Sequence, residues 1–174
     1  MIIYFVILLA VISRFVPHIP NFAPITALAI FAAANMDLKK AAGITLAARL
    51  ISDVFIGFAS WPMMLAIYAS HLAGILFGVW IKNSNKYRWA KIIGSSLAAS
   101  AIFFLVTNFA FLYSNYPHNF SGIIQSYING LPFLRGTLMG DMFYSLSLFG
   151  AYELVKFWQE RKSVNKYLIR QPAD

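Results

Sequence analysis

Long apolar runs separated by short polar connections dominate this 174-residue sequence. The runs predict six helices, over residues 2–15, 21–35, 41–59, 62–81, 90–113 and 137–158. A membrane-crossing helix needs about 20 mainly apolar residues, so the last four runs fit directly and the first two are short. Asn21 is a good N-cap for the second helix, and Pro24 suits its first turn. The pattern predicts an all-α, polytopic bundle of six transmembrane helices.

The connection over residues 114–136 is long and nearly free of charge. Apolar residues recur along it at helical spacing, which predicts a short interfacial helix with Ser121 as its cap and Pro132 as its stop. Within the spans, two small-residue pairs predict close contacts inside the bundle, namely Gly74-x-x-x-Gly78 and Gly94-x-x-x-Ala98.

Composition supports a lipid environment. Hydrophobic residues make up 60% of the chain and charged residues 11%, whereas soluble domains average about 45–50% and about 25%. The chain contains no cysteine, which excludes disulfides, thiolate nucleophiles and Cys-ligated metals. Residues 1–158 are predicted to form the transmembrane domain, followed by a basic cytoplasmic tail over residues 159–174.

The net charge of +8 comes mainly from Lys and Arg between or after the apolar runs. This is the distribution of a membrane topology signal and not of a nucleic-acid groove. The positive-inside rule predicts a multi-pass protein of the plasma membrane (the bacterial inner membrane) with both termini in the cytoplasm. Membrane lipid is a predicted partner and nucleic acid is not.

Charged residues inside or beside the predicted spans are the candidate chemistry, because intramembrane ions are rare and usually functional. Under the predicted topology they gather in the outer half of the bundle, with polar residues beside them. The candidate solute-binding residues are Arg14, His18, Asn21, Asp53, Asn108, Arg135 and Asp141. Three arginines (Arg14, Arg49 and Arg135) against two aspartates favour an anionic solute.

Structural interpretations of these residues stay open. Arg49 and Asp53 lie four residues apart on one helical face and can neutralise each other. Asp141 falls in the first turn of the predicted sixth helix, where a carboxylate favours the helix dipole. His71 can hydrogen-bond between helices, or form a metal site with His18 and His118. No catalytic motif is present, and no cofactor is predicted.

Several strings resemble a family of uncharacterised bacterial integral membrane proteins. They are RFVPHIPNFAP from Arg14 to Pro24, Ser52-Asp53, Thr107-Asn-Phe109, Tyr116-Pro117 and LPFLRGTLMGD from Leu131 to Asp141. That family is distantly similar to the substrate-binding S components of energy-coupling-factor (ECF) vitamin transporters. The resemblance implies an outward-opening small-molecule pocket and a coupling subunit with ATPases as partner. Many S components dock through an Ala-x-x-x-Ala pair on the first helix, but here Ala29-x-x-x-Ala33 lies in the second.

The sequence thus predicts a membrane protein that binds and takes up a small, anionic or vitamin-like solute. Two alternatives remain open: an intramembrane metal- or haem-associated enzyme or accessory protein, and a structural membrane subunit held together by its ion pairs.

Overall fold

The computed structural model describes residues 2–13, 20–83 and 86–169, and the secondary structure in these ranges is entirely helical. The α-helices are α1 (Ile2–Ser13), α2 (Ile25–Asn35), α3 (Leu38–Ile56), α4 (Trp61–Lys82), α5 (Arg88–Thr107) and α6 (Phe120–Ile169). A short 3-10 helix, Ala110–Leu112, lies between α5 and α6. The predicted all-α class is confirmed.

Helix α2 is the centre of the bundle. Every residue from Ile25 to Ala34 is buried, and the helix packs against α1, α3, α4, α5 and α6. Its residues are small or apolar on all sides, which is typical of a helix surrounded by others. With 11 residues, a rise of about 1.5 Å per residue makes it too short to cross a bilayer alone.

Glycines of α4 allow α2 to approach closely. A side chain at Gly78 would overlap the Ile30 carbonyl and lie 2.6 Å from the Ala33 Cβ. At Gly74, the nearest atom would be the Ala29 Cβ at 3.5 Å. The predicted internal contact of this pair is confirmed. For Gly94 the prediction is wrong: this residue is exposed, and no neighbouring atom lies within 4 Å of its Cβ position.

Helices α5 and α6 run antiparallel and are joined by a ladder of polar contacts. Ser100 donates to Asp141 at 2.6 Å, and Ser96 donates to Ser145 at 2.7 Å. Further along, Arg88 pairs with Glu153 at 3.5 Å. From one pair to the next, the residue number falls by four and then by eight on α5, and it rises by the same amounts on α6. One face of each helix therefore meets the other over several turns.

The predicted number of transmembrane helices needs correction. Within the described ranges, α4 and α5 are the two helices long and apolar enough to cross a membrane, against six predicted. Helices α1 and α2 have 12 and 11 residues, which is too short. Helix α3 contains Lys39, Lys40, Arg49 and Asp53. The apolar part of α6 is interrupted by polar residues such as Thr137, Asp141 and Ser145.

Several predicted boundaries were also wrong. The expected interfacial helix and the sixth span are one helix, α6, which contains Pro132 in its interior and continues past residue 158. Asp141 therefore lies inside a helix and not in a first turn. Asn21 is not the N-cap of α2, because that helix begins at Ile25 after Pro24. Asn21 has a left-handed backbone with φ of 62°.

The outward faces of the helices are apolar. Among the most exposed large side chains are Phe55 on α3, Leu76 on α4 and Trp61 at the start of α4, at 76%, 70% and 68% exposure. Large apolar side chains are also exposed on α1, α5 and α6. The interior thus combines the apolar core around α2 with buried polar groups, and the outer faces expose more large apolar side chains than is usual for a soluble protein.

Candidate functional site

Two adjoining cavities lie inside the bundle, with volumes of about 310 and 350 Å³. They share Asn21, Ile67 and Phe103 as lining residues, so these three side chains form the partition between them. The first, called here the ionic cavity, is lined by Asn21, Ala23, Thr26, Arg49, Ile56, Ile67, His71, Phe103, Thr137 and Asp141. The second is called the amide cavity, because Asn21, Asn108 and Asn129 line it. Both volumes are in the range of small-molecule sites.

Arg49 reaches the ionic cavity from α3 and is held from behind by Asp53. Its Nε donates to Oδ2 of Asp53 at 2.8 Å, and its Nη2 lies 2.7 Å from Oδ1. The Tyr68 hydroxyl of α4 also donates to Oδ2 at 3.0 Å. The predicted Arg49–Asp53 pair is confirmed. This two-point contact fixes the guanidinium plane and leaves its remaining N–H groups for other acceptors.

Asp141 enters the same cavity from α6, and its residue is only 2% exposed. Besides the Ser100 hydroxyl of α5, the Thr26 side chain of α2 is a hydrogen-bond partner of this carboxylate. The Thr26 hydroxyl also lies 3.3 Å from Nδ1 of His71 on α4. Since a hydroxyl has one proton, a Thr26 that donates to Asp141 accepts from Nδ1–H of His71. Four helices thus meet at one polar network.

His71 has the interhelical hydrogen bond that its sequence position predicted. Its ring also stacks on Phe103 of α5, with centroids 5.3 Å apart and an interplanar angle of 25°. Because Phe103 lines both cavities, this stack fixes the orientation of the partition.

None of the described residues that line the amide cavity is charged. Its walls are Asn21, Met63, Ile67, Phe103, Thr107, Asn108, Tyr113, Tyr116, Ser126, Asn129, Gly130 and Phe133. The Asn129 amide donates to the Tyr116 hydroxyl at 3.1 Å, and the Tyr113 hydroxyl donates to the Thr107 carbonyl at 2.8 Å. Burial, with a smaller effect of Tyr116, raises the pKa of Tyr113. Its phenol therefore stays a neutral donor at physiological pH.

Glycines of α6 let the loops close over the cavities. A side chain at Gly136 would overlap the Pro20 carbonyl, and one at Gly140 would lie 2.9 Å from the Phe22 Cα. The Phe22 ring packs against Phe143 and Tyr144 at centroid distances of 5.6 and 5.4 Å. These contacts fix the segment before α2, so Asn21 is held at the partition. A left-handed backbone is better tolerated by Asn than by most residues.

The predicted site residues separate into three groups. Asn21, Asn108 and Asp141 line the cavities, and Asp53 lies directly behind Arg49. Arg135 is exposed and lines neither cavity. Arg14 and His18 lie outside the described residues. A role of these side chains in solute binding remains a prediction.

The charge that the described residues place around the ionic cavity includes one of the three arginines in the count that favoured an anion. Arg49 and Asp141 line the cavity, and Asp53 neutralises Arg49. Arg135 is exposed and lines neither cavity, and Arg14 lies outside the described residues.

Sequence reasoning missed several lining or supporting residues, among them Thr26, Ser100, Asn129 and Thr137. A signal was present for some of them. Thr137, Asp141 and Ser145 recur every four residues on α6, as do Ser96 and Ser100 on α5. Small polar residues at helical spacing within an apolar run indicate a buried polar face.

A metal site of His71 with His118 is not formed. His118 stacks on Phe111 with centroids 4.7 Å apart and lines a different cavity from His71. In the part of the chain that the structure describes, no three His, Asp or Glu side chains are grouped as metal ligands. His18, the third predicted ligand, lies outside that part.

Comparison with known proteins places the chain in a family without assigning it an activity. The family model DUF6580, described as a family of unknown function, matches residues 1–164, and the chain belongs to this family. No curated protein and no solved structure matches the chain. The uncharacterised family expected from the sequence is confirmed, whereas similarity to ECF S components has no support from these comparisons.

Proposed function

We propose that this member of the DUF6580 family is a multi-pass plasma-membrane protein that binds a small solute in the joined cavities and takes part in its uptake. The observation that supports this most directly is the pair of adjoining, partly open cavities that residues of the bundle line. Their walls combine a fixed arginine, a buried carboxylate and neutral hydrogen-bonding groups. Sites of this kind orient a ligand with a few polar groups on an otherwise apolar wall.

The apolar exterior supports the membrane location. Many large hydrophobic side chains are exposed on α1, α3, α4, α5 and α6, and extensive exposed apolar surface is typical of proteins that contact a membrane or another protein. In this proposal α4 and α5 cross the bilayer fully, and the shorter helices fill it in combination with α6. Non-spanning segments are tolerated at membrane depth where protein surrounds them, as it does α2.

Basic residues support the proposed orientation. Lys82 donates to the Met36 carbonyl at 2.7 Å, and Arg88 pairs with Glu153, so these cations mark one end of the bundle. The cavities are at the opposite end, beside the segment between α5 and α6. With the basic end in the cytoplasm, the cavities open outward and both termini are cytoplasmic.

A coupling subunit would have to dock on a surface other than the Ala29-x-x-x-Ala33 pair. Ala29 and Ala33 are buried, at 0% and 1% exposure, and they pack against Gly74 and Gly78 of α4. Solute binding as proposed here does not depend on such a partner.

A cavity-filling variant tests the proposal. Purified protein in detergent would be heated with a broad panel of vitamins, amino acids, amines and other small metabolites. We expect at least one compound to raise the melting temperature by several degrees, since a ligand that binds only the folded state stabilises it. Ile67→Trp, which fills the partition of both cavities, should remove the shift.

The matched control is Leu65→Trp, because Leu65 is on the same helix but 55% exposed. It should retain the shift, and so should Arg135→Ala, because Arg135 lines neither cavity. No stabilising compound in the whole panel, or an equal loss in both Trp variants, would contradict solute binding in the cavities.

The second candidate is a structural subunit, which the Arg49–Asp53–Tyr68 cluster favours. Its three side chains join α3 to α4 through contacts of 3.0 Å or less. In that case the cluster should affect stability alone, and no compound should bind in an Ile67-dependent manner.

A further inference from the structure

The Asp141 carboxylate is a buried acid on a cavity wall, and no cation of the described residues is paired with it. Within the described residues, no Lys, Arg or His nitrogen forms an ion pair with it, and the partners found are the hydroxyls of Ser100 and Thr26. A buried carboxylate normally requires a positive partner or a proton, because transfer from water to a medium of low dielectric constant is costly.

Arg49 lines the same cavity but is paired with Asp53 and forms no ion pair with Asp141. Its guanidinium is held at 2.7 and 2.8 Å by both carboxylate oxygens of Asp53, and this pair has no net charge. Asp141 is therefore the acidic group on the described wall of the ionic cavity whose charge no described cation balances. A simple anion would meet this charge and gain only the spare N–H groups of Arg49.

We infer, on the basis of the proposed function, that the solute carries a protonated nitrogen, which binds Asp141 in the ionic cavity. Ammonium groups donate charge-assisted hydrogen bonds to carboxylates and remove the cost of an unpaired buried charge. The spare Arg49 N–H groups then hold an acceptor of the same molecule. The solute class is thus amines and zwitterions, in place of the anion that the arginine count favoured.

The surroundings of Asp141 fit an organic amine better than a bare cation. Ile67 and Phe103 provide apolar wall beside the polar groups. The Thr26 and Ser100 hydroxyls contact the carboxylate, Thr137 lines the same cavity, and His71 lies beyond Thr26. A metal ion would need three or more ligand side chains, and no such group is present among the residues described.

Matched compounds test the charge class directly. Three rings would each be offered as an amine, an amino acid and a carboxylic acid: tryptamine, tryptophan and indole-3-acetate; phenethylamine, phenylalanine and phenylacetate; tyramine, tyrosine and 4-hydroxyphenylacetate. Binding to full-length protein in detergent at pH 7 would be measured by calorimetry. We expect the amine or amino acid of at least one ring to bind at least about tenfold more tightly than its acid.

Asp141→Asn should weaken this binding by about tenfold or more, whereas Asp141→Glu should keep the preference for the amine. Asp37→Asn is the matched control, because it also removes one negative charge but at an exposed position that lines neither cavity. If Asp141→Asn does not fold, the Glu variant alone decides: loss of its preference for amines over acids overturns the inference.

The outcomes separate this inference from the proposed function. Acids that bind as tightly as amines, or binding that is unchanged in folded Asp141→Asn, overturn the inference and leave the solute site intact. The same holds if the nine compounds fail but the broad panel yields an Ile67-dependent solute without a protonated nitrogen. If no compound of either set binds, the proposed function fails as well.

Discussion

Arg49 and Asp53 contribute both to the stability of the fold and to the geometry of the candidate site. Their side chains are 14% and 2% exposed, and the contact uses two nitrogens and both carboxylate oxygens. Burying either charge alone would cost free energy. The opposite charge and the hydrogen bond from Tyr68 offset that cost. The pair also determines which face of the guanidinium reaches the cavity.

Breaking this pair should be more damaging than removing it. Arg49→Ala or Asp53→Ala leaves a buried charge uncompensated, so we expect each single variant to lose about 3 kcal/mol of unfolding free energy. The double variant should lose clearly less than the sum of the two. Reversible unfolding of the four proteins in mixed micelles measures this coupling.

Arg49→Lys is the control, since it keeps the charge but cannot make the two-point contact. An intermediate loss is expected for it. Additive losses in the double variant would contradict a mutual dependence of the two side chains.

At the scale of elements, the burial of helix α2 depends on neighbouring helices that have glycine, and so no side chain, where they face it. It is enclosed because glycines on α4 and α6 leave room for its backbone and for the segment before it. Helix α6 shows the opposite case, because it continues through Pro132 despite the missing N–H. Proline normally ends helices, yet helices in a membrane tolerate it where surrounding groups satisfy the freed carbonyl.

Two glycine substitutions should have opposite effects on stability. Gly78→Ala places a methyl group against the Ile30 carbonyl, and we expect a loss of about 2 kcal/mol from overpacking. Gly94→Ala meets no atom within 4 Å, and we expect a gain of up to about 1 kcal/mol from helix propensity. Thermal unfolding of both variants in the same detergent checks the pair, and equal effects would show that α2 and α4 are not in close contact.

For the whole molecule, the distribution of polarity determines its solvent. Arg49 and Asp53 are paired inside, Arg88 and Glu153 are paired at the basic end, and the outward faces of the helices carry large apolar side chains. In the proposed membrane location, a bilayer accommodates such a surface without aggregation, and the basic end lies in the cytoplasm.

Single-cysteine labelling should reveal the orientation, because the natural chain has no cysteine. In intact cells, a membrane-impermeant maleimide should label Ser114→Cys, which lies between α5 and α6 at the cavity end. Asn83→Cys, at the end of α4, should react only after the membrane is opened. Labelling of both positions in opened membranes is the control for reactivity, and the reverse pattern in intact cells would contradict the proposed topology.

Much of the fold followed from apolar periodicity alone. Runs of adjacent residues predict the all-α class and most of the helix bounds, because helix formation and capping depend on near neighbours. The Arg49–Asp53 pair was equally accessible, since four residues along one helix bring side chains together whatever surrounds them. The number of transmembrane helices could not be predicted in this way, because length and composition do not show which short helices are enclosed by others.

The sequence by itself determined the helices, their apolar character and the family, because each is carried by local residue order. Only the tertiary structure decided which polar residues share a cavity. It placed Asp141 beside Ser100 and Thr26 and left Arg135 on the surface. Rotation of a helix by a fraction of a turn exchanges an inward for an outward side chain, and packing against α2 sets that rotation.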